Sequence, residues 1–402
     1  MFRNSSVLTA FLLATCLFSC SEDKGGTPAG GGTGGAGGSG ATGGGGGSAG
    51  MVPSNAAFCA DSCIGSEFTP ATGRPVNSCC VAVGEPGRSA SNPYLLRTTD
   101  TDEYSDPKGG PPDLSCFDAA NYPKQPPPDG NKKKASLAGV ITTFANGGCV
   151  AEDLIGSNAV TVEVYTVQRT GDPATDGALG TLVGTALVAN DQMPIEQEVV
   201  TNCNDDPKLN RKYEYPDVPM YTELVVKSYG NGWAPLYSYN LYISEDDPDY
   251  DAGTNSYDYD VRALAEGDFQ TIPTVAIGKT ITAGNGAIGG EVHDCNNIRL
   301  QFARVDVSVG RKGLVYFNDD EDDPLPDVTR TDIGTGKTAL YSALDITVKD
   351  PKGTYARLAG AGLVPSSDGD KLVSLGYFDV RVFPNSVTSV TLRGLRPFQV
   401  PK

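Results

Sequence analysis

The chain has 402 residues, of which 39% are hydrophobic and 20% are charged, and its formal net charge at pH 7 is −18. Such an acidic chain is repelled by the phosphates of nucleic acids and by anionic lipid headgroups, which excludes nucleic acid as a partner. The length is sufficient for two or three domains of ordinary size.

The N-terminus has the outline of a signal peptide over residues 1–19. Arg3 supplies a positive charge, and an apolar run extends from residue 7 to residue 18. A helix needs about 20 apolar residues to cross a bilayer, so this run is too short to remain as a membrane span. We therefore expect an exported chain from which this segment is removed.

The four residues from Leu17 to Cys20 resemble the lipobox of bacterial lipoproteins, in which a small residue precedes an acylated cysteine. The resemblance implies that Cys20 carries lipid and anchors the chain in a lipid bilayer. Ser21 follows the cysteine in place of an aspartate, which favours the outer membrane or the cell surface within the cell envelope. An ordinary secretory signal that is cut nearby is the alternative.

A glycine-rich linker follows the lipidation site and completes the segment 20–50. Between Gly25 and Gly50 the chain consists almost entirely of Gly, Ala, Ser and Thr. These residues cannot bury a core, so the linker is expected to be disordered, with a root-mean-square span of about 30 Å. The folded part of the chain would then be tethered loosely to the membrane.

The cysteines indicate an oxidising compartment. Of the ten, one leaves with the signal peptide and one is the lipidation site. An even number remains in an exported chain, which predicts disulfides. Zinc is the alternative, but the cluster has no Cys-x-x-Cys pair and the chain has a single histidine. The disulfide candidates are Cys59, Cys63, Cys79, Cys80, Cys116, Cys149, Cys203 and Cys295.

Residues 51–130 form an irregular segment that is rich in Cys, Pro, Gly and Asp. The number of its cysteines is odd, so at least one must pair outside the segment, stay free or bond another chain. Cys295 is the natural partner for it, and Cys149 is expected to pair with Cys203 within one domain. With few apolar residues of its own, the segment is expected to pack as a cap against the rest of the folded chain.

From residue 131 the chain changes to short β-branched runs. Val160, Val162 and Val164 alternate with polar or amphipathic residues, which predicts a strand with one buried face. No run of ten or more residues has helical apolar spacing. The fold class is therefore all-β, with two antiparallel immunoglobulin-like or transthyretin-like β-sandwiches over 131–282 and 283–402. The predicted strands are 137–144, 159–167, 181–189, 213–215 and 221–227, then 288–292, 303–309, 339–348, 372–383 and 387–392.

The two predicted sandwiches share an order of motifs. A glycine-bearing first strand, Leu137–Ile141 or Ile288–Val292, is followed by an alternating valine strand and by a tyrosine motif at 213–221 or 353–358. This order resembles the carboxypeptidase regulatory-like, transthyretin-like sandwich family. The resemblance implies tandem modules that accompany other activities and are not themselves catalysts.

Catalytic motifs do not support an enzyme. The run from Gly284 to Gly289 matches G-x-G-x-x-G, but a predicted strand comes after it instead of the required helix. The sequence has no G-x-S-x-G elbow, and its single histidine, His293, is expected to be an ordinary polar loop residue. We therefore predict a chain that is not an enzyme. A secreted or surface hydrolase with an unrecognised active site is the alternative.

An acidic run from residue 318 to residue 324 is a candidate calcium site, since calcium takes six to eight oxygen ligands. The run lacks the spacing of an EF-hand, and a solvated acidic loop is the other interpretation. No other cofactor is predicted. The candidate ligands are Asp319, Asp320, Asp322 and Asp323.

An aromatic cluster is the candidate binding surface. Trp233, Tyr237, Tyr239 and Tyr242 lie close together in the sequence, and the rings of a shared strand face would form a platform for a glycan or an envelope protein. The other interpretation is that these rings fill a sandwich core. The sequence as a whole predicts a non-catalytic, membrane-anchored surface lipoprotein with a binding or structural role in the cell envelope.

Overall fold

The computed structural model describes residue 90 and residues 93–99, 109–117, 127–144, 160–188, 195–198, 208–320, 324–367 and 369–394. All of them belong to one compact unit, Ala49–Lys402. No described helix is long and apolar enough to span a membrane. The predictions for residues 1–50, including Cys20, and for Cys59, Cys63, Cys79, Cys80, Cys149 and Cys203 lie outside the described residues.

Strands dominate the described chain, which confirms the all-β fold class. The first half contains β1 (Leu96–Arg97), β2 (Lys134–Thr143), β3 (Val160–Val167), β4 (Leu179–Val188), β5 (Ile195–Glu198), β6 (Lys208–Pro219), β7 (Glu223–Gly230), β8 (Trp233–Tyr242), β9 (Tyr250–Asp251), β10 (Ser256–Asp258) and β11 (Val261–Ala265). The second half contains β12 (Gly286–Glu291), β13 (Leu300–Gln301), β14 (Arg304–Val307), β15 (Gly313–Phe317), β16 (Pro326–Asp327), β17 (Leu340–Ile346), β18 (Thr354–Val364), β19 (Lys371–Val382) and β20 (Val387–Val390).

One described segment is helical although no run of ten or more residues has helical apolar spacing. A helix, α1 (Glu266–Ile277), separates the two halves and buries only Phe269 and Pro273. The internal proline and the β-branched residues around it hide the helical spacing from the sequence pattern. Glu266 lies at the positive N-terminal end, and Gly278 ends the helix in the left-handed conformation, with φ of 71°.

The first half is a sandwich whose two layers are β2 with β6, β10 and β11, and β3 with β4, β7 and β8. The predicted alternation in β3 is confirmed, because Val160, Val162 and Val164 are buried and the residues between them are only partly buried. Leu137 and Ile141 of β2 pack against these valines in the same core.

The second half packs a sheet of β12, β15, β17 and β20 against a separate sheet of β14, β18 and β19. Ile288 and Tyr341 from the first sheet meet Val305, Leu358 and Phe378 from the second in one apolar core. Each of the five is at most 2% exposed, so this core excludes water.

The two halves share a sheet. β20 pairs in parallel with β8, from Val387 opposite Leu236 to Val390 opposite Tyr239, and also in parallel with β12. The sheet therefore runs without a break from one half into the other. Val225 and Tyr239 of the first half also lie in the core of the second half.

Hydrogen bonds from arginines to backbone oxygens form a second contact between the halves. The guanidinium of Arg169, before β4, donates to Glu223 Oε2 at 2.5 Å and to Asp176 Oδ2 at 3.2 Å. The same group donates to the backbone oxygen of Asp379, in β19, at 2.7 Å. It also lies over the ring of Phe378, at 5.1 Å. The guanidinium of Arg169 thus forms hydrogen bonds with residues of both halves.

Two arginines of the second half complete this contact. Arg381 donates to the backbone oxygens of Asp176 at 3.0 Å and Pro173 at 2.7 Å, in the turn before β4. Arg357 donates to both carboxylate oxygens of Asp379, at 2.7 and 2.9 Å. The pair of Arg357 with Asp379 lies within the second half and holds the residue whose backbone oxygen accepts from Arg169. The bonds between the halves are therefore those of Arg169 and Arg381 to backbone oxygens.

A disulfide joins Cys116 to Cys295, with an S–S distance of 2.06 Å. This confirms the prediction that Cys295 pairs with a cysteine of the irregular segment. Nearby, Arg97 donates to Asp294 at 2.6 Å, and Cys295 N donates to the backbone oxygen of Asp113 at 3.0 Å. The described parts of the segment are therefore fixed to the second half.

The matching glycines of the two first strands have a steric role. A Cβ on Gly139 would lie 2.4 Å from the backbone oxygen of Tyr259, and one on Gly290 would lie 1.9 Å from that of Val390. In each half, a neighbouring chain segment passes too close to admit any side chain.

We predict that Gly290→Ala lowers the free energy of unfolding by about 1–3 kcal/mol, because β20 must shift away from β12 to admit the methyl group. Urea denaturation measures the effect. Gly310→Ala is the control, since a Cβ there would meet no atom within 4 Å. Equal stability of the two variants would contradict the steric explanation.

Candidate ligand-binding cleft

The predicted aromatic platform does not form. Trp233 is 7% exposed, and Tyr239 and Tyr242 are each 5% exposed. Tyr237 is partly buried and stacks on Phe383, with ring centroids 4.1 Å apart. These rings are buried because β8 lies between the cores of the two halves, so that rings on both of its faces are covered.

The acidic run is described only in part, since Asp322 and Asp323 lie outside the described residues. Asp319 Oδ1 accepts a hydrogen bond from the backbone of Lys337 at 2.7 Å and from Arg330 at 2.9 Å. Among the described residues, no three His, Cys, Asp or Glu side chains are grouped as a metal site. Calcium at this loop, including at Asp320, stays a prediction.

His293 is not an ordinary polar loop residue. It is 2% exposed, and its backbone nitrogen donates to the backbone oxygen of Leu392 at 2.7 Å, which draws it against the end of β20. Its Nε2 lies 2.7 Å from Glu291 Oε2 and its Nδ1 lies 2.8 Å from Asn297 Oδ1. These residues belong to the wall of a cleft.

The cleft lies beside β8, between β2 of the first half and β12 of the second half. Val140 and Thr142, on the face of β2 that points away from the first core, line one wall. Glu291 of β12 lines the opposite wall, and Phe269 of α1 closes one end. The enclosed volume is about 690 Å³. Small-molecule sites typically enclose about 300–1,000 Å³.

A row of small residues crosses the floor of the cleft. Strand register places Ser238 opposite Ser389, Ser389 opposite Gly289, and Gly289 opposite Ser342. All four line the cleft. Because none has a bulky side chain, the floor stays open and presents three hydroxyl groups.

The floor changes character along its length. Toward α1 the neighbouring positions are apolar, with Leu236, Val387 and Ala287 side by side in the sheet. Away from α1 the residues are polar, with Asn240 of β8 on one side and Glu291 of β12 at the opposite wall. A ligand lying along the cleft would therefore meet an apolar end and a polar end.

Asn240 occupies a bulge in β8. Its φ is 70°, and the register between β7 and β8 shifts beside it. Bulges re-aim side chains and are common near functional sites. Asn240 Nδ2 donates to the backbone oxygen of Thr391 at 2.7 Å. The residue is 4% exposed, and its Oδ1 has no hydrogen-bond partner among the described residues.

A second unpaired oxygen lines the same cleft. Thr142 is 6% exposed, and its Oγ1 likewise finds no partner within the described part of the chain. A buried polar atom without a partner costs about 1–3 kcal/mol, and most such atoms in native proteins are paired. Each of the two oxygens has less than 1 Å² of accessible surface, so this cost belongs to the folded chain.

Carboxylates line the wall formed by the first half. Burial, followed by the charge of Asp247, raises the pKa of Asp249 above its ordinary value. Burial and the charge of Asp260 raise the pKa of Asp258. Asp260 Oδ1 also accepts from the backbone nitrogen of Val140 at 3.0 Å. This wall therefore concentrates negative charge.

Glu291 is held as a carboxylate on the opposite wall. Burial opposes its ionisation, but the hydrogen bond with His293 and the charge of Arg299 outweigh burial and lower its pKa to about 2. Arg299 Nη2 lies 3.3 Å from Glu291 Oε1. Since the group has both partners, it is a fixed structural charge.

The low pKa of Glu291 predicts acid sensitivity. An unfolded glutamate has a pKa of about 4.3, so the stabilisation is fully present above about pH 4.3 and is lost as the pH falls toward 2. Melting temperatures between pH 5 and 2 should fall less steeply for Glu291→Gln than for the wild type. Glu266→Gln, on the exposed start of α1, is the control. Identical pH profiles for all three proteins would contradict the assignment.

Sequence reasoning missed the residues of the cleft. In β8 the prediction rested on the tyrosines at 237 and 239, whereas Ser238 and Asn240 on the opposite face line the cleft. The alternation of tyrosine with small polar residues in this strand was the available signal. The partners of Ser238 across the sheet, Ser389 and Gly289, come from distant sequence and carry no local signal.

No family model matches the chain, and no curated protein matches it. Two solved structures are similar over part of the chain. The shaft pilin spaA from Lactobacillus rhamnosus GG is 11% identical and covers 66% of this chain and 99% of its own, with a TM-score of 0.17. The major pilin from Streptococcus pyogenes is 8% identical and covers 64% of this chain and 100% of its own, with a TM-score of 0.15. Neither likeness assigns a fold or a function to this chain, and the carboxypeptidase regulatory-like resemblance stays a prediction.

Proposed function

We propose that this chain is a membrane-anchored surface lipoprotein that binds a saccharide in the cleft without catalysing a reaction. The observation that carries the proposal is the cleft itself, whose floor of small residues leaves a volume of about 690 Å³ with an apolar end and a polar end.

A saccharide matches the chemistry of the cleft. Its hydroxyl groups can donate to the cleft carboxylates Asp258 and Asp260 and can exchange hydrogen bonds with the serine hydroxyls of the floor. Of these serines, Ser342 already donates to the backbone oxygen of Ile288 at 3.1 Å, so its hydroxyl is left as an acceptor. Its ring carbons present apolar faces, which suit the end of the cleft near Leu236 and Phe269. Pockets that combine an apolar lining with a few placed polar groups are typical of small-ligand sites.

The proposed location rests on the N-terminal sequence. Lipid on Cys20 would place the chain at a membrane in the cell envelope, and the linker through Gly50 would let the cleft reach ligands near the surface. Because the linker is flexible, the cleft could reach a glycan of the cell envelope without a conformational change in the folded part.

A surface hydrolase is the second candidate, and one observation favours it. Asp249 and Asp258 line the cleft, and both have raised pKa values, as a carboxylic acid that donates a proton requires. Incubation of the protein with each bound saccharide, followed by mass analysis of the products, distinguishes the candidates. Intact saccharide supports binding alone, and shortened products support hydrolysis.

A saccharide array and isothermal titration calorimetry with the mature chain test the proposed function. Ser389→Trp should abolish binding because the indole fills the floor, and Ser342→Leu should weaken it. Thr185→Trp, on an exposed position of β4 outside the cleft, is the matched control and should bind as the wild type does. Melting temperatures verify that each variant folds. Absence of binding by the wild type, or retained binding by folded Ser389→Trp, would contradict the proposal.

A further inference from the structure

We infer that the saccharide bound in the cleft is linked to a hydrocarbon chain, and that this chain occupies the apolar end of the cleft beside α1. The inference rests on the proposed function, because it names the chemical class of the ligand for the same cleft. Its basis is the register of apolar residues and serines along the floor, together with the side chains that surround the apolar end.

The floor changes from apolar residues to serines within two positions. Leu236 precedes Ser238 on β8, and Val387 precedes Ser389 on β20, and both serines are only partly buried. The two strands are in register at both positions, so the apolar residues are neighbours in the sheet and so are the serines. Two residues of a strand span about 6.5 Å, so a ligand that contacts both pairs has an apolar part about 6.5 Å from a hydrogen-bonding part.

The apolar end is lined by more than one element. Phe269 and Ile272 belong to α1, Phe144 follows β2, and all three line the cleft. They belong with Val387 to one apolar cluster. Ile272, Phe144 and Val387 are only partly buried, so they present hydrocarbon surface that an apolar part of a ligand would remove from water.

A saccharide ring alone uses this end incompletely. One face of a ring can lie on Leu236 and Val387, but the hydroxyl groups around its edge need hydrogen-bond partners. The side chains of Phe269 and Ile272 offer none, and a hydroxyl group buried without a partner costs free energy. A hydrocarbon chain carries no such group, so it is the better occupant of this end.

Two charged residues from elements beside the apolar end also line the cleft. Arg262 of β11 is exposed, and Asp268 in the first turn of α1 is only partly buried. Their charged groups can therefore stay in contact with water while the apolar side chains contact a hydrocarbon chain.

Isothermal titration calorimetry of the mature chain with methyl, hexyl and octyl glucoside, each below its micelle-forming concentration, tests the inference. A methylene group that leaves water for an apolar site raises the affinity about fourfold. The affinity should therefore rise along the series, by at least about tenfold in total when only part of the chain is buried. The heat-capacity change on binding should become more negative along the series, because it reports the apolar surface that is buried.

The octyl ether of tetraethylene glycol is the control for the saccharide, since it has the same chain and no sugar ring. It should bind at least about tenfold more weakly than octyl glucoside, because it has a single hydroxyl group to meet the polar side chains of the cleft.

Ile272→Asp should lower the affinity for octyl glucoside to about that for methyl glucoside, because it places a carboxylate against the hydrocarbon chain. Val275→Asp, at a 48% exposed position of the same helix outside the cleft, is the matched control and should keep the whole series. Melting temperatures verify that both variants fold, and the series on the wild type tests the inference without either variant.

Equal affinities of the wild type for methyl and octyl glucoside, or an unchanged series in folded Ile272→Asp, would overturn the hydrocarbon inference and leave the proposed function standing. Absence of binding by every glucoside would also overturn it, and the saccharide array would then decide the proposed function by itself. Equal binding of the octyl ether and octyl glucoside would overturn both, since the cleft would then not recognise the saccharide.

Discussion

The parallel pairing of β20 with β8 is the contact on which the rest of the structure depends. It joins Val387 to Leu236 and Val390 to Tyr239, and through it the sheet of one half continues into the other. Tyr239 packs in the core of the second half. Ser238, two positions after Leu236, lies in the floor of the cleft. Without this pairing the small residues of β8 and β20 would not lie side by side. The cleft is therefore a consequence of the way the halves join.

Buried charge holds the same junction at a second place. Arg169 bonds Glu223 in its own half and the backbone of Asp379 in the other, so its position requires both. Burying the guanidinium costs desolvation, which its hydrogen bonds to residues of both halves offset. Arg381 makes the reciprocal contact to the turn at Asp176.

The sequence predicted the local structure better than the assembly. Alternation of Val160, Val162 and Val164 identified β3 because burial of one strand face leaves a pattern of period two. The parity of the cysteines indicated the role of Cys295. The pairing of β8 with β20 joins residues that are far apart in the sequence and leaves no local pattern, so the cleft could not be predicted. The aromatic platform failed for the same reason: whether Trp233 is exposed depends on what covers β8.

The shared sheet should make the two halves one cooperative structure, and a two-probe unfolding experiment tests this most directly. The single tryptophan, Trp233, lies in the core of the first half, and its fluorescence reports unfolding there. Hydrogen exchange of peptides from β18 and β19, measured by mass spectrometry over the same urea series, reports the second half. We predict that both probes give the same midpoint. Two separate midpoints, with β18 and β19 protected after Trp233 is exposed or the reverse, would contradict cooperative unfolding through the shared sheet.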